Sequence, residues 1–408
     1  MIVAGLGKRI AMLAVLCAAF VQVACGESGE ELRIYSSGPS VNAGEGEDVR
    51  AFQLALRHEG DEAGPFKLKL VVLESAVAQT GAPAEASIKR NARRAAADER
   101  AIAYLGEGTS GPTTVSMPIT NRAGLLHICP SCSYVGLTRK EGALPGHPQR
   151  LYPTGRRHFL HLSPNDHLQA AALVEYAQRE NVDRVAILHD DQVWGKGLAR
   201  LVAAAAPRAG ISLTGPPHVP RGDIRGEARR AADAGAGALM TFGNADIGIV
   251  NLMRRAARAA PGVLIFAGDS QANSGSASAL KDVGHRFRIV GPPPPDPRNA
   301  LAARFADRYR ETYGTTPFPN TFIAYEAMRR VIQAARAAGE RADERAAIIS
   351  AIFAAPEQNT VAGRYRFTRN GDSTLTRFGG YRATGGKLVF DRLLGAGGRA
   401  AVVPDGTQ

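Results

Sequence analysis

Residues 104–138 read YLGEGTSGPTTVSMPITNRAGLLHICPSCSYVGLT, and this stretch decides the fold. It begins inside an apolar run, residues 101–105, whose composition predicts a strand. The glycine-rich GEGTSG at Gly106–Gly111 turns the chain, and residues 113–121 then carry a helical pattern. A second apolar run follows at residues 124–128. Strand, short loop, helix and strand make a βαβ unit, and a helical crossover of this kind joins parallel strands.

The same rhythm extends in both directions. Upstream lie strand patterns at 32–36 and 67–73 and helix patterns at 47–59 and 85–97. Residues 146–157, rich in Pro, Gly and Arg, read as a loop, and a second series follows them. Its helices are expected at 166–181, 197–209, 225–236 and 248–260, and its strands at 184–189, 211–219, 238–242 and 263–267. Beyond Pro292–Pro295 come helix patterns at 299–313, 322–338 and 344–353, then a Gly-rich alternating stretch at 364–390 that suggests hairpins. The expected fold class is α/β, with two Rossmann-like lobes built on parallel sheets. A ligand would lie in the cleft where the strand C-terminal ends of the two lobes face each other.

Composition narrows the function. The 408 residues are 45% hydrophobic, 22% charged and 6% aromatic, which excludes a disordered or multi-span membrane chain. The net charge of +12 invites a nucleic-acid partner. Its basic residues, however, alternate with alanine and acids along helices, as in RNARRAAADER at residues 90–100, and read as solvated faces. No zinc-finger spacing or RNA-binding aromatic signature accompanies them, so no nucleic-acid partner is expected.

Residues 1–25 have the anatomy of an export signal: Lys8 and Arg9, then an apolar run over residues 10–23. VQVACG at residues 21–26 resembles a bacterial lipobox, with Gln22 departing from its aliphatic pattern. The expectation is an exported protein, periplasmic or at the cell surface, anchored by lipid on Cys25. No later stretch is long and apolar enough to span a bilayer, so contact with the membrane would run through that anchor. Cys17 leaves with the signal, and Cys129 and Cys132 remain, spaced CPSC. They follow a strand and enter a loop, which favours a structural disulfide over a redox motif or a metal site.

Several motifs hint at chemistry. Gly106–Gly111 fits G-x-G-x-x-G, but it follows the third strand of its lobe, and the next strand ends without the acid that would hold a ribose. Anion binding by the amides at the helix start survives that objection. GDSQA at residues 268–272 nearly matches a nucleophile elbow, and His285 is the only histidine downstream of Ser270. His158, His161, Asp166 and His167 crowd together, but on a strand the first two histidines point to opposite faces. Trp194, the only tryptophan, falls between a strand and a helix, where an aromatic face can cover a ligand.

Four stretches together resemble the type I periplasmic solute-binding proteins, in the leucine/isoleucine/valine-binding branch that serves ABC importers. They are residues 104–138, RVAILHDDQVWGKGLAR at 184–200, TFIAYEAMRRVIQAA at 321–335 and TVAGRYRFTRNGD at 360–372. The resemblance implies two lobes joined by three hinge crossings, near residues 163–165, 291–296 and 372. Residues 32–163 and 292–372 would form lobe 1, and 164–291 and 373–398 lobe 2, with a tether at 26–31 and a tail at 399–408. It implies a binder, not an enzyme, with no cofactor and an ABC permease as membrane partner. Ser110 and the Gly111 amide would grip a solute carboxylate, Ser131 and Ser133 would line the second loop, and Trp194 would close from lobe 2. Ser36–Gly38 would line the pocket for the solute's side chain. The acid that pairs with the ammonium in this family falls at Ser270, so Asp269 or Asp246 would have to substitute. The solute is accordingly an amino acid, an amide or a carboxylate. A ligand-sensing module for a signalling partner and a serine hydrolase built on Ser270 are the alternatives.

Overall fold

The computed structural model describes residues 30–38, 46–75, 84–244 and 247–395. The export signal with Cys25, Asp246 and the tail at 399–408 lie outside the described residues. The first half builds β1 (Glu31–Gly38), α1 (Glu47–Glu59), β2 (Glu62–Ala63), β3 (Phe66–Glu74), α2 (Glu85–Ala97), β4 (Ala101–Gly106), α3 (Ser110–Arg122), β5 (Leu126–Cys129) and β6 (Phe159–His161). These strands form one sheet in the order β2-β3-β1-β4-β5-β6, parallel except for the short β2.

The second half supplies α4 (Asp166–Arg179), β7 (Arg184–His189), α5 (Val193–Ala205), β8 (Ser212–Leu213), α6 (Ile224–Asp233), β9 (Ala238–Phe242), α7 (Ile247–Ala259), β10 (Leu264–Ala267), α8 (Ser274–Ala279) and β11 (Phe287–Gly291). The chain then returns to the first lobe with α9 (Ala300–Tyr313), α10 (Pro319–Ala338), α11 (Arg345–Ala354) and the hairpin β12 (Gln358–Thr360) and β13 (Gly363–Tyr365). It ends in the second lobe with β14 (Phe378–Thr384) and β15 (Lys387–Leu394). The second sheet runs β15-β14-β11-β10-β9-β7-β8, with β14 and β15 antiparallel at one edge.

Apolar periodicity explains the layers. On α1, Val49, Phe52, Leu54 and Ala55 turn inward and meet α10, where Phe322, Ala324, Met328 and Val331 are buried. Phe305 of α9 packs edge-on against Phe322 at 4.7 Å, and each such ring contributes roughly 1.5–3 kcal/mol by leaving water. On the opposite face of the sheet, Ile88, Ala92 and Ala95 recur one turn apart on α2.

Three local readings are corrected. The strand expected over 211–219 reduces to Ser212–Leu213 and a single bridge, Leu188 with His218. Pro216 and Pro217 lack the amide hydrogens that a longer ladder needs. β11 escaped the sequence pattern because Arg286 borders and Arg288 interrupts its apolar run, yet both are buried. Arg286 donates to the carbonyls of Ala257, in the last turn of α7, and of Ala260 and Val263 beyond it, and Arg288 pairs with Glu180 at 2.6 Å. Finally, α5 begins at Val193, four residues earlier than expected, because Gly195 and Gly197 weaken its helical signal. Asp190 accepts the amides of Gln192 and Asn244 at 3.0 Å each, tightening the turn that starts this helix.

Candidate functional site

In parallel α/β layers, strand C-terminal ends and helix N-termini share one edge. That edge of the first sheet carries Ser37, Glu107–Gly111 and Cys129–Ser133, and that of the second carries Trp194 and Gly268–Gln271. The two edges touch. Trp194 donates its indole N–H to Ser133 Oγ at 3.1 Å and lies 3.4 Å from Asp166 Oδ1, while the Asp166 amide donates to the Ser133 carbonyl at 2.8 Å. Trp194 is therefore a residue of the first turn of α5, buried against the opposing lobe, rather than a loop residue as expected.

Ser110 opens α3 and its hydroxyl accepts the Tyr134 amide at 3.3 Å, leaving Gly111 with open space where a side chain would project. Gly106, first of the glycine motif, has a different cause. A Cβ there would lie 2.6 Å from the Ser37 carbonyl, so this glycine serves the close approach of β1 and β4, and its presence needs no cofactor. Cys129 and Cys132 are joined, closing the turn that presents Ser131 and Ser133. Ser131 is half-buried, whereas Ser133 is buried and already engaged by Trp194.

The electrostatics centre on two carboxyls. Burial pushes Asp269 up to about 6, against hydrogen bonds from Gln169 and Ser133. Burial, reinforced by the Asp269 charge, pushes Asp166 far above the usual carboxylate range. Like charges sharing a buried site disfavour double ionisation. Asp166 Oδ2 and Gln271 Oε1 are buried without a hydrogen-bond partner, and no arginine or lysine among the described residues pairs with either carboxyl. A third buried carboxyl, Glu107, follows β4 in the first lobe. It takes hydrogen bonds from Tyr104 and from Ser37 at 2.8 Å, and burial raises it to about 7.

Sequence reasoning named Asp269 but passed over Asp166, Gln169 and Glu107 as ligand candidates. The available signal was Asn165, which caps α4 by accepting the His167 amide and so fixes Asp166 and Gln169 on its cleft-facing first turn. The histidine cluster disperses: His158 bonds Thr120 and Asn121, while His161 bonds Asp372 at 2.8 Å. Among the described residues, no group of three or more His, Cys, Asp or Glu could hold a metal ion. The hydrolase alternative also fails on geometry. β10 and β11 are parallel, with Ala267 opposite Ile289. Ser270 follows the C-terminal end of β10 and His285 precedes the N-terminal end of β11, so they sit at opposite edges of the sheet.

A family model described as periplasmic binding protein matches residues 35–386. The chain belongs to that family. Solved structures agree on the fold of this binding protein. The leucine-binding protein LivK of Thermotoga maritima superposes with a TM-score of 0.75 at 19% identity, covering 90% of this chain and 99% of that one. An ABC transporter substrate-binding protein of Desulfitobacterium hafniense in complex with leucine gives 0.73 at 19% identity, covering 89% and 100%. A solute-binding protein of an ABC transporter from Rhodopseudomonas palustris, in complex with benzoate, gives 0.73 at 15%, covering 91% and 98%. No curated protein matches this sequence.

Proposed function

We propose that this binding protein delivers an amine-bearing small solute, of amino-acid type, to an ABC importer after export. The observation that carries the reading is the buried pair Asp166 and Asp269, with one acceptor oxygen unsatisfied and, among the described residues, no arginine or lysine paired with either. An ammonium group would supply both the charge and the donors that the pair lacks. The Gly111 amide at the start of α3 suits a carboxylate at the other end of the solute. A simple carboxylate such as benzoate brings no positive charge to the aspartates, so an amino acid is favoured over an acid without an amine. Ser270, at the place of the family's acid by resemblance, stands beside Asp269 on the same turn, and Asp269 supplies the acid that Ser270 lacks.

A thermal-shift panel of amino acids, amino-acid amides and aromatic acids tests this, because a solute that binds only the folded protein raises the midpoint. Amine-bearing compounds should raise it. A panel in which only aromatic acids do so would overturn the proposal. Trp194 supplies a second readout: as the only tryptophan, its emission should change with one-site saturation on adding each solute that shifts the midpoint. Emission indifferent to every such solute would make Trp194 a packing residue. The lipid anchor on Cys25 is proposed on the lipobox-like VQVACG, and the intact mass of envelope-purified protein would expose any other N-terminus.

A further inference from the structure

Tyr134 immediately follows Ser133 on the disulfide-closed turn of the first lobe, but its ring belongs to the second. It sits in a hydrophobic cluster with Cys129, Cys132 and Phe159 from lobe 1 and with Trp194, Leu198 and Val202 from lobe 2. Its position is fixed at three points. The backbone amide donates to Ser110 Oγ at 3.3 Å, the hydroxyl accepts the Leu144 amide at 2.7 Å, and His147 Nδ1 is 3.2 Å from that hydroxyl. On the other side of the cleft, a Cβ built on Gly197 would lie only 2.8 Å from two carbons of the Tyr134 ring. Gly197 stands one turn after Trp194 on α5, in an ordinary helix interior where nothing in the backbone calls for glycine.

We propose that Tyr134 and Gly197 form a knob and notch that set how far the lobes close, and hence how deeply Trp194 and Asp166 reach toward Ser133. The inference rests on the reading that a solute is bound in this cleft with hinge closure. It makes Tyr134 and Gly197 positioning residues, since neither need touch the solute. Glycine is otherwise a poor choice inside a helix, and alanine there normally stabilises it. A helix that keeps two glycines facing the opposing lobe and strand β9 gives up that stability for close approach. Gly195 makes the second approach, with a Cβ that would lie 2.6 Å from the Phe242 carbonyl within its own lobe.

The decisive variant is Gly197→Ala. Its melting midpoint should hold, because the gain in helix propensity offsets the strained contact with Tyr134. Solute affinity should fall by about tenfold or more, since the added carbon overpacks the closed interface. Tyr134→Leu in the same chain should recover much of that loss by vacating the notch. A merely structural role would move the midpoint and not this affinity pattern. Hydrogen exchange at the Asp166 amide, whose bond to the Ser133 carbonyl crosses the lobes, reads closure with no solute added. It should quicken in Gly197→Ala and slow again in the double variant. Unchanged affinity and unchanged exchange in Gly197→Ala would overturn the clasp. If no amine-bearing solute binds the native protein, the functional reading fails, and the exchange measurement alone judges the clasp.

Discussion

Asp166→Asn should weaken binding of any amine-bearing solute by ~30-fold or more, corresponding to the loss of about 2 kcal/mol or more expected when one partner of a buried charge pair is removed. The fold should not suffer. The carboxyl is buried beside Asp269 with an unsatisfied oxygen, so a neutral amide relieves repulsion, and the midpoint should hold or rise. Titration calorimetry with the solute found in the panel, beside a melting curve, separates the two effects. The same carboxyls impose a pH dependence. With Asp269 near 6, an ammonium solute meets the ionised form less often as pH falls, so affinity should drop about tenfold from pH 7 to pH 5. The sign for stability is opposite. Because the folded state holds this proton more tightly than the unfolded chain, the solute-free protein should lose stability as pH rises from about 4 through about 6. An affinity that ignores pH, or an Asn variant that binds normally, would remove the aspartate pair from the site.

Asp372→Ala should lower the midpoint by roughly 10 °C, from a loss of about 3–5 kcal/mol. Asp372 is buried where the chain passes from the first lobe into the second, paired in a bridge with His161. Its carboxylate accepts from Thr138, from Arg139 Nε and from His161 Nε2, the last at 2.8 Å. Removing it strands three donors at the hinge, two of them fully buried. Burial alone would raise this carboxyl, but His161, Arg139 and Thr138 outweigh burial and hold it well below the usual carboxylate range. The stability it confers is present above the ordinary carboxylate value and is lost as pH falls through the depressed one. Acid unfolding of the Ala variant should therefore show a shallower low-pH limb than the native protein, measured by circular dichroism. A midpoint within 2 °C or so of native would show that the hinge does not depend on this knot.

Much of the fold was legible in the sequence because local signals and global packing agree. The helices Glu47–Glu59 and Glu85–Ala97 and the strands Arg184–His189 and Ala238–Phe242 fall where periodicity placed them. Their apolar residues repeat at the period of the element that buries them. The position of Ser110, Gly111, Ser133 and Asp269 at one edge of the layers was legible too, since strand ends and helix starts of parallel layers must share an edge.

The remainder depended on contacts between distant parts of the chain. Buried Arg288 in β11 and Arg286 just before it reach Glu180 and the carbonyls at and after the end of α7, groups at least 23 residues away. Asp166 looked like part of a histidine-rich run until Ser133 and Trp194, from two other segments, closed around it. Gly197 stood at the start of an expected helix, and only the Tyr134 ring against it supplies a reason for glycine there. The sequence by itself determined the layers, because helix and strand periods are properties of neighbours along the chain. Only the tertiary structure decided which polar groups lie together at the cleft, because burial, charge and steric fit there depend on residues that sequence distance keeps apart.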